Sequence, residues 1–517
     1  MLLFIDSYKD YLKENVALEF LYTYVELECK VDYCFIDMNK TDELDIDLEN
    51  YELFGLTINT EVAPYVYKIA DKIKEKKPNA YIFTFGTFAT LSANMILKDC
   101  NNINFVVLGD YEQPIKILIQ EYLKNDTLNL NKPYLYSIGD QLTEKVFNVD
   151  EMSEPVIPQH IYLERHETRY HHTAIIASTR GCIGQCRFCT LNYCLGKRRI
   201  KWRARDIDLV FQEIIEIYNK YRIRAFHIQD SAIEGAGKIG KARIERLCDL
   251  LINYPVRFSF SFNTRAKGFG EEDDKLLVKM KQAGFISALL GIESLDEKDL
   301  EFFNKRVKPQ DNLQSYKLLN EYGFYVECGF ININPVSTVS SFQKNFNFSK
   351  ENNLFYDYHF TSKLSIEYGS KMYDLVKDMG LLDKNYSYIN TCVFRFLDPE
   401  GERVARRLLK ASELSGYSAY ESDFLNFQSF YITTINLFDE HQALNFRNLF
   451  EPYISRLANE KFDMYEHLIC QREDSPEKIM NYYNPRIIEL YKKILIKKVR
   501  LLKDSNLLAY LRGENVK

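Results

Sequence analysis

No run of about eighteen uncharged apolar residues occurs anywhere in the 517-residue chain, so a membrane-spanning helix is not expected. Glycine (21) and proline (13) are scarce, which excludes collagen-like and low-complexity architecture. An excess of one charge is missing too. With 67 basic against 73 acidic side chains the formal charge is −6, and nothing draws the whole chain to nucleic acid or an anionic membrane. The start, MLLFIDSYKDYLKE, lacks the basic region and cleavage site of a signal peptide, so the chain reads as cytoplasmic. A secreted disulfide framework is also absent: the eleven cysteines are an odd number, and eight of them are scattered or sit in apolar segments. What remains is a folded chain, 46% hydrophobic, long enough for two to four compact domains or sub-domains. Three cysteines within eight residues stand out from it.

Residues 1–135 alternate short apolar runs with longer amphipathic stretches. The runs 2–6, 31–37, 53–58, 80–85 and 104–109 predict strands of a parallel, doubly wound, Rossmann-like sheet. Ligands of such sheets sit at the carboxyl ends of the strands, here the loops Gly55–Asn59, Gly86–Thr90 and Gly109–Glu112. Residues 136–168 read as a linker. A second β/α series over 169–375 places strands at 173–179, 225–230, 256–263, 285–294, 324–333 and 356–364, which predicts a partial (β/α)6 barrel. Residues 376–517 are mainly helical, with Asn484 as an N-cap before Pro485 in the last helix. The fold class is therefore α/β with a helical tail, and no internal repeat is found.

The segment Ser178-Thr-Arg-Gly-Cys182-Ile-Gly-Gln-Cys186-Arg-Phe-Cys189-Thr190 spaces three thiols as C-x-x-x-C-x-x-C in the loop after the first barrel strand. Three thiolates can hold three irons of a four-iron cluster and leave the fourth without a protein ligand. The competing reading is a zinc site with Cys194 as fourth ligand, but no second C-x-x-C hook exists to complete the usual structural knuckle. The motif resembles the radical S-adenosylmethionine (radical SAM) superfamily. That resemblance implies a 4Fe-4S cluster on Cys182, Cys186 and Cys189, with S-adenosylmethionine chelating the free iron and yielding a 5′-deoxyadenosyl radical on reduction. It further implies that Phe188 packs near the adenine and that Gln229, Asp230 and Ser231 match the position meeting the methionine amino group. Arg265 falls near the carboxylate, and Glu293 and Ser294 match ribose contacts.

The turn Tyr368-Gly-Ser-Lys-Met-Tyr373 resembles the P-G-T-x-L-Y turn of the branch that carries an amino-terminal cobalamin-binding domain. Residues 1–125 resemble that domain in GLTINT (55–60), FGTFAT (85–90) and VVLGDYEQPIKILI (106–119). Phe85-Gly86 stands where the family has Gly-Gly, an aromatic at a point of close backbone approach, and this leaves cobalamin binding open. The resemblance implies two activities: cobalamin-dependent methylation of an unactivated carbon, or cobalamin-free epimerisation or cyclisation. The expected substrate is a ribosomally made peptide or a small natural product under the helical tail, and the expected reductant a flavodoxin or ferredoxin. A zinc-bearing binding module is the reading from another class.

Other groups carry two readings each. Lys197, Arg198, Arg199, Lys201, Arg203 and Arg205 form a basic run that is either a solvated helix entry or a steadying patch for cluster or substrate. Cys328 and Cys392 are buried inert thiols by default, with Cys392 the better candidate to return a hydrogen atom to a substrate radical. His171, His172, His227 and His359 lack metal-ligand spacing. A transfer-RNA methylthiotransferase would need three further cluster cysteines and a carboxy-terminal β-domain, so nucleic acid is not expected as a partner. Cys392 and Cys470 are too few for an auxiliary cluster.

Overall fold

The computed structural model describes residues 1–502 apart from 9–14, 27–30, 38–46, 138–155, 166–172, 193–201, 436–439 and 472. The chain forms two compact units that interleave along the sequence. Residues 1–167, 181–205 and 365–393 make the first, and residues 168–180, 206–364 and 394–517 the second.

The first unit is built on β1 (Leu2–Tyr8), β2 (Val31–Asp37), β3 (Leu53–Thr57), β4 (Tyr81–Phe85), β5 (Phe105–Val107) and β6 (Leu135–Tyr136), in the order β2-β1-β3-β4-β5-β6. All neighbours are parallel except the β5–β6 edge pair. The helices α1 (Val16–Glu26), α2 (Ala63–Lys76), α3 (Thr87–Asp99), α4 (Glu112–Asn125) and α5 (Ile161–Arg165) complete it. Alternation along the strands explains the two layers. Leu3, Ile5, Phe54 and Leu56 pack with α2 and α3, whereas Leu2, Phe4, Leu53 and Phe83 pack with α1 and α4. Gly55 is a packing requirement, because a Cβ there would lie 2.6 Å from the Phe4 ring.

The second unit begins with β7 (Thr173–Ile176) and the two-residue β8 (Thr179–Arg180); the equally short β9 (Arg203–Ala204) belongs to the first. Then follow α6 (Ile207–Tyr221), β10 (Ala225–Ile228), α7 (Gly237–Ile252), β11 (Ser259–Arg265), α8 (Asp274–Gln282), β12 (Phe285–Glu293), α9 (Glu297–Phe302), α10 (Pro309–Glu321), β13 (Tyr325–Phe330) and α11 (Val339–Glu351). The strands form a five-stranded parallel sheet in sequential order, β13-β12-β11-β10-β7. The expected sixth strand is shorter than its sequence suggested. Residues 357–361 form α12 (Asp357–Thr361), and the strand position survives as one parallel bridge, Ile333 to Lys363. Its run of aromatics reads as β from composition, but helix packing decides the outcome: Phe360 stacks on Tyr465 at 4.0 Å.

Helix α13 (Lys371–Asp378) returns to the first unit, and α14 (Pro399–Glu413), α15 (Ser418–Ile435), α16 (Glu440–Cys470) and α17 (Pro476–Leu502) form the helical tail of the second. Helix α17 starts at Ser475-Pro476, with Ser475 Oγ accepting from the Lys478 N–H. Asn484 therefore does not cap it. Pro485 lies inside the helix, and Asn484 donates to the Leu414 carbonyl at 2.9 Å. Helix α15 packs against β10, β11 and β12, on the face opposite the outer helices. Among the described residues no helix is long and apolar enough to cross a membrane.

Candidate active site

Cys182, Cys186 and Cys189 lie on one loop of the first unit, each half-buried and none in a disulfide. A turn with the Cys189 N–H on the Cys186 carbonyl shapes the loop, and the Gly184 N–H points at Cys182 Sγ at 3.3 Å. The three thiols fit an iron–sulfur cluster in chemistry and in sharing a loop. Among the described residues, no three His, Cys, Asp or Glu side chains are already gathered as an ion-holding group. Cys194, the fourth ligand of the zinc reading, lies outside the described residues, as do Lys197–Arg199, Lys201, His171 and His172.

The same unit holds a cavity of about 340 Å³ at the carboxyl ends of β3 and β4. Ile58, Asn59 and Thr60 line it from the loop after β3, and Thr87, Phe88, Leu91 and Ser92 from the start of α3. Thr190, immediately after the third cysteine, and Glu367 and Tyr368 from the turn before α13 complete the wall. The turn itself is tied to the cysteine loop, because the Met372 N–H donates to the Arg187 carbonyl at 3.1 Å. Gly369 (φ +75°) bends it, and Ser370 caps α13 by accepting from the Tyr373 N–H.

Phe85 does not obstruct this cavity. It is buried under the sheet against Phe4 (5.9 Å between ring centroids) and Tyr111 (4.9 Å). Gly86 keeps the conformation only glycine holds comfortably, φ +98° and ψ −177°, and starts α3 with open space beside it. One residue of the Gly-Gly pair was needed for backbone, and the other could become core.

The strand order reverses between β1 and β3, where such sheets usually open a crevice. Here the chain's own side chains fill it. Asp6 accepts from Thr57 and Tyr162, and from Asn15 at 3.3 Å; burial, the largest influence, pushes its carboxyl up. Tyr162 is delivered by α5, whose Ile161 and Tyr162 N–H groups end on the buried carboxylate of Glu19 at 2.8 and 3.0 Å. Arg203 and Arg205 are anchors, which corrects both readings of that part of the basic run. Arg203 forms a buried two-pronged pair with Asp110 at 2.9 and 3.1 Å, and Arg205 bonds the Val156 carbonyl and lies over the Phe20 ring.

In the second unit the residues expected around a cofactor separate into open and closed groups. Gln229 is exposed and Ser231 half-buried. Asp230 has no exposed surface, and its carboxylate receives the Ser178 and Thr179 N–H groups at 2.7 and 2.9 Å and the Ser178 hydroxyl at 2.5 Å. It holds the segment leading into the cysteine loop, with both carboxylate oxygens engaged by Ser178 and Thr179. Ser294 is closed off in the same way. Fully buried, it donates to Asp299 at 2.8 Å within a network that includes Asn345, Asn334 and Asn312.

Arg265 ends β11 half-buried, with Nε on Glu234 at 2.9 Å and Nη2 on the Gly235 carbonyl. Glu234, which also accepts from Thr264, carried no sequence signal. Glu293 ends β12 in a left-handed conformation (φ +63°) and pairs with Lys305 at 2.7 Å. Phe188 is half-buried in the cysteine loop. Cys328 is fully buried on the helix-facing side of β13, with burial raising its thiol well above the ordinary value, so it is inert. Cys392 is exposed, contrary to the default expectation of a buried thiol. His227 bonds Ser261 at 2.9 Å.

Residues 176–348 match the family model of the radical SAM superfamily. An uncharacterised methyltransferase of Pyrococcus horikoshii is 23% identical over 313 residues, 59% of this chain and 65% of its own length. An anaerobic magnesium-protoporphyrin IX monomethyl ester cyclase of Synechocystis is 24% identical over 52% of this chain and 53% of its own. The chain thus spans between about half and two thirds of these relatives. In fold, it is similar to the cobalamin-dependent S-adenosylmethionine radical enzyme OxsB (TM-score 0.67, 14% identity, 98% of this chain and 81% of that one). It is also similar to the radical S-adenosylmethionine methyltransferase TsrM from Kitasatospora setae (TM-score 0.61, 13% identity, 94% and 99%).

Proposed function

The chain belongs to the radical SAM superfamily, and from that premise we propose that it is a cobalamin-dependent enzyme that methylates an unactivated carbon of a peptide or small natural product. One observation carries the cobalamin part. The cavity at the ends of β3 and β4 and the cysteine loop share a wall through Thr190, and the turn that supplies Glu367 and Tyr368 is hydrogen-bonded to Arg187 between the second and third cysteines. A cavity of about 340 Å³ is too small to enclose a whole corrin and suits the seating of one edge of a large ligand. Phe85, the one departure that counted against cobalamin, is accounted for in the core.

In this reading Cys182, Cys186 and Cys189 hold three irons of a 4Fe-4S cluster. When bound, the cluster and S-adenosylmethionine supply a carbon-centred radical, and cobalamin supplies the methyl group. The chain's own residues bind and orient. The Gly184 N–H donates to Cys182 Sγ, Asp230 fixes Ser178 and Thr179, and Phe188 takes the adenine side. Gln229, Ser231, Arg265 and Glu293 are the polar groups offered to the cofactor. Arg265 and Glu293 are held by Glu234 and Lys305, so each arrives with a fixed orientation. A flavodoxin or ferredoxin is the proposed electron source. The exposure of Cys392 favours a second reading, in which that thiol returns hydrogen to a substrate radical in a cobalamin-free epimerisation or cyclisation.

Protein produced with cobalamin and purified anaerobically tests both parts. Corrinoid bands together with 5′-deoxyadenosine formation are expected, and Cys186→Ala should abolish the nucleoside. An absence of corrinoid bands sinks the methylation reading in favour of the second. Full retention of 5′-deoxyadenosine in Cys186→Ala sinks both.

A further inference from the structure

A parallel sheet is normally covered on both faces. The inner face of the second unit's sheet is covered only in part. Leu289, in the middle of β12, is 44% exposed while its neighbours Ala288 and Leu290 are fully buried against the outer helices. In register with Leu289 stand Asn263 of β11 and Glu327 of β13, so these three form one row across the inner face. The row below it is Ser261, Ser287 and Tyr325, two of them small. The inner face is open around Leu289.

Three carboxylates lie on β12, β13 and the loop after β10. Glu234 is paired with Arg265 and Glu293 with Lys305, but among the described residues no lysine or arginine pairs with Glu327. Its Oε1 accepts from Tyr325 at 2.9 Å and its Oε2 from Tyr358. Gln428 of α15 in turn donates to the Tyr325 hydroxyl at 3.0 Å. The buried imidazole of His359 stands 3.6 Å from Oε2, within ion-pair range. Burial pushes the Glu327 carboxyl up, yet His359 first, and then the Tyr358 and Tyr325 hydroxyls, outweigh that and hold it below the ordinary value. Tyr358 is itself 37% exposed. A half-buried carboxylate with a buried histidine near it and no lysine or arginine partner among the described residues, beside an exposed leucine and an exposed aromatic ring, is arranged to receive a cation on an organic body.

Building on the radical reading of this barrel, we infer that its substrate carries a positively charged nitrogen, an amine or guanidinium, seated on Glu327, with Leu289 and Tyr358 as the apolar wall beside it. The row Asn263–Leu289–Glu327 then determines which substrates are accepted.

The test uses the full chain and two probes of equal shape, 2-phenylethylamine and the neutral 2-phenylethanol, with binding followed by saturation-transfer NMR. One charge-assisted hydrogen bond predicts that the amine binds about tenfold tighter than the alcohol. Glu327→Gln should reduce the amine to the level of the alcohol. Leu289→Lys changes an exposed side chain, leaves the tyrosine network intact and places a cation beside Glu327. It should remove the preference even if Glu327→Gln folds poorly. Equal binding of the two probes, no binding of the amine, or a preference that survives in Leu289→Lys overturns the inference. These measurements need no radical chemistry, whereas failure of the radical reading shows separately as absent 5′-deoxyadenosine from the wild-type protein.

Discussion

Removing the Asp230 side chain should loosen the entry to the cysteine loop, and the contacts say by how much. Asp230→Ala strips the acceptor from two buried N–H groups and one hydroxyl. Leaving a buried donor unsatisfied costs about 1–3 kcal/mol, so two orphaned amides cost about 2–6 kcal/mol, from which relief of the buried carboxylate is subtracted to leave about 3–4 kcal/mol as the central value. Asp230→Asn keeps one oxygen for both amides and turns its NH2 toward Ser178 Oγ, whose hydroxyl can rotate to accept, at a cost of about 1 kcal/mol. Hydrogen exchange resolved to the peptide spanning Ser178 and Thr179 is the assay. Exchange there should quicken about 10²–10³-fold in the alanine variant and less than about tenfold in the asparagine variant. Burial raises the Asp230 pKa, so the stability this group contributes is complete below the ordinary carboxylate range and is lost as pH rises through the folded value. The amide introduced by Asp230→Asn cannot ionise, so that variant should gain on the wild type with rising pH. Unchanged exchange in Asp230→Ala, or equal damage from both variants, would refute the positioning role.

Four further outcomes are expected. Cys182→Ala and Cys189→Ala should lose iron after anaerobic reconstitution while Cys194→Ala retains it, as read by iron and sulfide content; loss in Cys194→Ala would return the zinc-type four-ligand reading. Burial lifts Asp299 to about 7, so its contribution to stability is present below the usual carboxylate range and falls away as pH rises through about 7. Asp299→Asn should flatten the decline of stability between about pH 4 and about pH 7, by at most about 4 kcal/mol, as read from melting temperature across that range; Glu421, also lifted to about 7, leaves a residual slope. Gly86→Ala should cost about 1–3 kcal/mol in urea unfolding purely from backbone strain, because a Cβ there meets nothing within 4 Å. Phe85→Ala should cost about 3–5 kcal/mol without improving corrinoid uptake, since the ring lies in the core and not in the cavity.

The outward signs of function were local and therefore legible. The spacing Cys182, Cys186, Cys189 is a property of one short loop, and the glycine at position 86 announces a backbone conformation that no tertiary contact is needed to infer. Strand positions in both units followed from apolar alternation, and the segment that failed, 356–364, did so because aromatic residues suit a strand and a buried helix alike. Asp230 and Ser294 carried the right sequence positions, but whether a polar side chain at a strand end meets a ligand or a neighbouring backbone is fixed by residues distant in sequence. Glu234 and Glu327 were invisible for the converse reason: a single acid in a long chain acquires meaning only from its surroundings.

Chemistry written into contiguous residues, the thiol trio and the turn at Gly369, was thus determined by sequence alone. Which carboxylates are paired, which crevice is plugged by Tyr162, and where the inner face stays open around Leu289 were decided by tertiary structure. The division follows from range: covalent spacing fixes what one loop can hold, whereas burial and hydrogen-bond partners depend on segments brought together only by the folding of the whole chain.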